Sequence, residues 1–247
     1  MIVNRDEESR GPATSFALVA EAYSHGRPGY PDEATRWLVG ESPRDVLDLG
    51  AGTGKLTRSL VSLGHRVTAV EPLTEMLELL PAAAPGAFAM LGSAEVIPLP
   101  DASADVVTAA GAFHWFDHAV ALPEIARVLR PQGRLGVVWN TRDDREPWVA
   151  ELSRTIGAET VARGDAEAPI EASGLFGTVE KTSFPWIQRL DGPMLRDLVL
   201  SRSYVAIKPR EEQERILADV DLLFADHARR GEIELPYVTE CYRAELR

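Results

Sequence analysis

The sequence predicts an α/β fold: a doubly wound, mostly parallel sheet of about seven strands with helices on both faces. Three observations predict it. From Val46 to about Asn140, short apolar runs alternate with segments of helical spacing, the rhythm of a parallel sheet closed by crossover helices. The stretch DVLDLGAGTGKLT, Asp45 to Thr57, leads an apolar run into three closely spaced glycines and then into a helical pattern. Such a turn belongs at the carboxyl edge of an open sheet. Finally, the second half reads strand, helices, strand, ending in IELPYVTECYRAEL, which fits a last strand antiparallel to its neighbours.

Residues 1–14 are polar and expected to fray. A short helix is predicted near Phe16 to Tyr23, then a loop through GRPGYP, then a helix from Asp32 to Val39 with Asp32 as its cap. DVLDLG is a buried strand. GKLTRSLVSLG is a helix stopped by Gly64, RVTAVEP a second strand, and LTEMLELLPAA a second helix. AFAMLGSAE gives the third strand and its exit, and ADVVTAAGAF the fourth. AVALPEIARVLRPQG is a helix with Pro123 in its first turns, and RLGVVWN is the fifth strand. Residues 143–165 read as an exposed helix, VEKTSFPWIQRL as a strand, and residues 191–230 as helical.

The 247 residues are 45% hydrophobic and 26% charged, with a formal net charge of −12. That charge disfavours nucleic acid as a partner, because phosphate binding needs a basic face. The single cysteine, Cys241, allows no intrachain disulfide and no Cys-rich metal site, and it reads as passive. No metal is expected. The opening MIVNRDEESR carries both signs of charge and no apolar core, unlike a secretory signal. No apolar run approaches the length of a membrane span, so the expected location is the cytoplasm, as a monomer or homodimer without a membrane partner.

The glycines select among ligands by spacing. A phosphate loop, G-x-x-x-x-G-K-[S/T], fails twice: Leu49 stands five before Gly54, and Leu56 follows Lys55 where a hydroxyl is needed. A dinucleotide fingerprint, G-x-G-x-x-G, matches at Gly50 and Gly52 but meets Lys55 at its third glycine. The third form is LDLGAGTG, an acidic residue followed by G-x-G-x-G. Glu71, about 20 residues past the glycines at the end of the second strand, is placed to take both hydroxyls of a ribose. An acidic helix cap before PLTEM is the alternative for that residue.

LDLGAGTG resembles the first motif of class I S-adenosylmethionine-dependent methyltransferases. TAVEP and GSAEVIPLP follow in that family's order. AEAYSHGRPGYP, GAFHWFD, LSRSYV and LPYVTECYRA are similar to the type 11, trans-aconitate-methyltransferase-like branch. The resemblance implies a Rossmann-like domain over residues 1–247. Lid-like helices would occupy 15–40, the cofactor core 44–142, and an acceptor-specifying part with a helical insertion 143–247. It implies S-adenosyl-L-methionine as cofactor and a small-molecule acceptor methylated by in-line displacement. Two alternatives remain open: a nicotinamide-dependent oxidoreductase and a non-catalytic cofactor-binding module.

The resemblance also implies the site. Gly50, Ala51, Gly52 and Thr53 would face the methionine portion and ribose, with Asp48 accepting from the ammonium, directly or through water. Glu71 and Pro72 would lie at the sugar. Met76 is an adenine wall or plain core. Ser93 stands where the family has Asp; with Ala94 it can contact the base, while Glu95 contacts the base or caps the turn. Ala110 lies at the end of the fourth strand. Tyr23, Arg27 and Tyr30 belong to the lid-like segment, and Arg27 is suited to the cofactor carboxylate. His114 and Trp115 are the candidates for facing the acceptor, His114 as base or as orienting group. His118 reads as a surface residue. Trp139, Asn140, Arg202 and Tyr204 are further acceptor candidates.

Overall fold

The computed structural model describes residues 25–157 and 165–247. The helix expected near Phe16 to Tyr23, Tyr23 with it, lies outside the described residues. The chain groups into two compact units, each discontinuous in sequence. Among described residues, a sheet unit comprises 28–143, 165–188 and 235–247, and a helical unit 25–27, 144–157 and 189–234.

The elements in chain order are α1 (Asp32–Val39), β1 (Asp45–Leu49), α2 (Lys55–Ser62), β2 (Arg66–Glu71), α3 (Thr74–Leu77) and α4 (Leu80–Ala83). There follow β3 (Phe88–Leu91), β4 (Ala104–Ala110), a 3-10 turn (Phe113–Trp115), α5 (His118–Val128) and β5 (Leu129–Arg142). The rest are α6 (Pro147–Thr155), α7 (Glu167–Ala172), β6 (Glu180–Leu190), α8 (Gly192–Leu200), α9 (Ser203–Ala206), α10 (Arg210–His227) and β7 (Ile233–Glu245).

The seven strands run in the order β3-β2-β1-β4-β5-β7-β6. Strands β1 to β5 pair in parallel, and β7 runs antiparallel to β5. This is the doubly wound α/β fold that the sequence predicts. From β1 the chain goes outward to β2 and β3, then returns to place β4 on β1's other side. That reversal opens a crevice at the carboxyl ends of β1 and β4, where such sheets bind ligands.

Alternation along the strands builds the two faces. Leu47, Leu49, Val107, Ala109, Leu135 and Val137 pack under α5 (Leu122, Ile125) and α7 (Ile170). Val46, Val106, Val138 and Cys241 pack with α1 (Ala34, Leu38) and α2 (Leu56, Leu60). Burial pushes the Cys241 thiol up to about 12, which leaves it protonated and passive. At the amino edge Arg130 bridges Asp45 and Asp105, and Arg66 holds Asp45 from the other side.

Several local expectations change. LTEMLELLPAA splits into two one-turn helices around Pro81 in the first turn of α4, because proline has no N–H to continue a helical ladder. Asp32 is the first helical residue, following Pro31, and makes no side-chain cap; its charge still favours the positive helix end. Pro123 lies inside α5, whose cap is Asp117 accepting from Ala119 N. The RPQG segment belongs to β5. Helix α6 buries Val149 and Leu152 and leaves Glu151 and Arg154 exposed, so only one face of it lies at the surface. Residues 158–164 of that expectation lie outside the described residues. Helix α7 was not foreseen. β6 holds Pro185, tolerated because β6 is an edge strand.

Within the helical unit, Asp191 caps α8 by accepting from Met194 N at 2.8 Å. A side chain on Gly26 would overlap the Leu198 backbone nitrogen at 2.1 Å, so this glycine allows the chain to lie against α8. No helix among the described residues is long and apolar enough to cross a membrane.

In the sheet unit Gly29, within the GRPGYP stretch, is held from β5. Asn140 Nδ2 donates to Gly29 O at 2.8 Å, and Asn140 Oδ1 accepts from Thr239 Oγ1 at 2.6 Å. Thr239, fully buried, accepts in turn from Trp186 Nε1 at 2.9 Å. Asn140→Ala leaves the Thr239 hydroxyl without its acceptor, at a cost of about 1–3 kcal/mol. We expect a melting temperature lower by about 2–4 °C for each kcal/mol. An unchanged melt would show that the relay holds nothing.

Candidate functional site

The glycine turn sits at the carboxyl end of β1. Gly50, Gly52 and Gly54 have φ of 63°, 57° and 86°, a region costly for residues with a Cβ. At Gly50 the reason lies inside the fold: a Cβ there would come within 2.6 Å of the Ala112 Cβ. A Cβ at Gly54 would meet the Leu80 side chain at 3.2 Å. Gly50 N and Ala51 N both donate to Val70 O, at 2.8 and 3.2 Å. Gly52 N donates to Glu71 Oε2 at 2.8 Å. Three successive amides are therefore used internally, whereas a phosphate cradle presents its amides outward.

Two carboxylates flank this turn. Asp48 is fully buried and faces Thr108 across the β1–β4 register. Its oxygens accept from Thr57 Oγ1 at 2.7 Å and Thr108 Oγ1 at 2.9 Å. Burial pushes its pKa up to about 6; the Glu71 charge adds to that shift, while the two threonine hydroxyls oppose it. Glu71, 5% exposed, accepts from Gly52 N through Oε2 and from Leu73 N through Oε1 at 3.0 Å. Burial raises its pKa as well, against those two amides. Each Glu71 oxygen keeps a further lone pair for a hydroxyl. Thr57 and Thr108 were not foreseen as parts of the site; the register that sets Thr108 opposite Asp48 is a property of the folded sheet.

Beyond β4, Gly111 adopts φ of 63° and the chain turns into the 3-10 segment carrying His114 and Trp115. Both are exposed, Trp115 by 44%. The rings of His114 and Trp115 stand 4.7 Å apart. Trp139 Nε1 lies 3.4 Å from His114 Nδ1. Indole N–H can only donate, so Nδ1 is the bare nitrogen and a neutral ring carries its proton on Nε2. Partial desolvation, helped by His118, lowers the His114 pKa. His118, expected at the surface, is half-buried, its ring stacked 4.5 Å from Phe113 and its Nε2 2.9 Å from Phe113 O.

Tyr30 reaches the same edge: its hydroxyl lies 3.8 Å from where a Gly111 Cβ would stand. Ala110 closes β4. After β3, Ser93 is half-buried and Ala94 is part of the core. Glu95 accepts from Asp117 N at 3.0 Å and so ties this loop to the start of α5. Arg127 fixes the same loop by donating to Ile97 O and Leu99 O. Met76 is 2% exposed, and Pro72 is exposed. Arg27 lies in the helical unit, where its Nε and Nη2 donate to Ser201 Oγ and O, both at 2.9 Å. Arg202 and Tyr204 begin α9 in that unit.

Residues 47–137 match a family described as a methyltransferase domain. The chain is 48% identical over 240 residues to an uncharacterized methyltransferase of Mycobacterium tuberculosis, covering 96% of this chain and 98% of that protein. It is 37% identical over 246 residues to an uncharacterized methyltransferase-like protein of Schizosaccharomyces pombe, covering 94% and 95% of the two chains. In fold it is similar to the structure of a type II methyltransferase from Anaeromyxobacter dehalogenans, with a TM-score of 0.64 at 24% identity over 90% of this chain and 97% of that one.

Proposed function

The chain belongs to the S-adenosylmethionine-dependent methyltransferases, and from that premise we propose that it methylates a small-molecule acceptor by in-line displacement. The residues of the glycine turn fit the cofactor. It carries no phosphate, and three amides of the turn already have acceptors within the chain. Glu71 retains lone pairs suited to the ribose hydroxyls, and Asp48 is a buried anion beneath a ligand with a cationic ammonium and sulfonium. Bound S-adenosylmethionine supplies an activated methyl group on sulfur. The nicotinamide alternative gives way to the family.

The observation that carries the acceptor reading is the bare Nδ1 of His114 facing Trp139 Nε1. A neutral imidazole with Nε2–H orients an acceptor by donating a hydrogen bond. It suits an acceptor that needs no deprotonation, a carboxylate above all. Trp115 and Trp139 flank that imidazole with apolar surface, which favours water exclusion around the reacting atoms. A small acceptor also accords with the net charge of −12.

The test is a screen with methyl-labelled cofactor against carboxylate, hydroxyl and amine metabolites, followed by two variants. His114→Ala should lower kcat by about tenfold or more, the loss of one positioned hydrogen bond. His114→Gln, which keeps an N–H donor, should retain most of it. With His114 as donor, kcat stays flat as pH rises through the imidazole titration, because Nε2–H donates in the neutral and the protonated ring alike. Labelling of amines alone, or a kcat that climbs as His114 loses its proton below the ordinary imidazole range and is lost equally in both variants, would point to a general base instead.

A further inference from the structure

Lys55 breaks the dinucleotide pattern in the sequence, and the fold gives it no internal reward. It is the first residue of α2, whose first turn holds no acidic side chain. A cation there opposes the helix dipole. It is half-buried, and Arg58 stands one turn along the same helix face. Among the described residues, neither Lys55 nor Arg58 has a side-chain hydrogen bond or ion pair. Burial, then Arg58, pushes the Lys55 ammonium down to about 8. Two residues earlier in the turn, the Thr53 hydroxyl is also without a partner, in a residue only 1% exposed. Dipole, desolvation and like charge all work against a lysine at this position, so an anion from outside the chain is what would make it favourable.

The anion in question belongs to the site already proposed, and the inference rests on that reading. Glu71 reaches Gly52 N on the ribose side of the turn, and Lys55 begins the helix on the other side of Thr53. Arg27, the sequence-level candidate for the cofactor carboxylate, spends Nε and Nη2 on Ser201. We propose that Lys55 receives the carboxylate at the amino-acid end of the bound nucleoside, with the Thr53 hydroxyl as a neighbouring donor. Lys55 is then a cofactor-binding residue and takes no part in moving the methyl group.

The experiment compares two nucleosides by calorimetry. S-adenosylhomocysteine carries the amino-acid end, and methylthioadenosine is the same thioether nucleoside without it. For Lys55→Met we expect S-adenosylhomocysteine to bind about 10- to 100-fold more weakly, the loss of a charge-assisted hydrogen bond, and methylthioadenosine to bind within about twofold of wild type. Lys55→Arg should keep most of the affinity. Ligand-free Lys55→Met should melt at or above the wild-type temperature, since an unpaired cation has gone, so a folding defect would be visible separately. Equal weakening of both nucleosides, no weakening of either, or an effect only on the acceptor's KM would overturn the inference and leave the cofactor reading intact. If the wild type binds neither nucleoside, the cofactor reading fails, and this inference fails with it.

Discussion

Glu71→Ala is expected to weaken S-adenosylhomocysteine binding by about 100-fold or more. Two charge-assisted hydrogen bonds to ribose hydroxyls, at roughly 1.5–3 kcal/mol each, account for that loss. A second contribution is structural. Glu71 already accepts from Gly52 N and Leu73 N, so alanine leaves two amides unpaired and lets the glycine turn relax. Glu71→Gln separates the two contributions. Its amide keeps one oxygen acceptor but turns an NH2 toward the other donor, so affinity should fall by an intermediate amount. Calorimetry on the three proteins reads both. Affinity within about twofold of wild type in Glu71→Ala would remove this carboxylate from the site and leave it the plain role of turn cap.

Asp48→Asn should have opposite effects on the ligand-free fold and on binding. The Asp48 carboxyl titrates at about 6 in the folded chain, against about 3.9 when unfolded. Between those values the native state holds more protons than the unfolded state, so stability falls as pH rises from about 4 through 6. A shift of about two units corresponds to about 3 kcal/mol by neutral pH. Asparagine removes that slope. The Thr108 hydroxyl can accept from the new amide while donating to Leu47 O, which it already approaches at 3.4 Å. Ligand-free Asp48→Asn should therefore melt at or above wild type at pH 7.5 and show a flatter profile between pH 5 and 7.5. It should also bind the cationic cofactor at least about tenfold more weakly, because the buried anion beneath the turn has gone. A wild-type melt that rises over the same pH range would contradict the assigned burial of charge.

Much of this was legible in the chain because local pattern and global fold agree. Buried parallel strands read as apolar runs, and LDLGAGTG with Glu71 at the next strand end marks the carboxyl edge from sequence alone. Contributions that depend on distant segments were not legible. Thr108 meets Asp48 only through the β1–β4 register. Asn140 reaches Gly29 and Thr239 only once the strands have assembled. At Gly50 the close neighbour is Ala112, some sixty residues on, so that glycine has an internal steric reason which composition does not reveal. Helix boundaries failed where one proline redirected a continuous apolar pattern, at Pro81, and where amphipathic spacing in α6 was taken for exposure. Lys55 departs from the dinucleotide fingerprint in sequence, but that it is half-buried without a partner among the described residues is visible only in the fold.

A crystal structure with S-adenosylhomocysteine tests the central claim most directly. The account predicts both ribose hydroxyls within hydrogen-bond distance of the Glu71 carboxylate and the amino-acid end lying along Gly50 to Thr53. A nucleoside bound elsewhere, or a turn whose Glu71 stays committed to Gly52 N and Leu73 N alone, would contradict it.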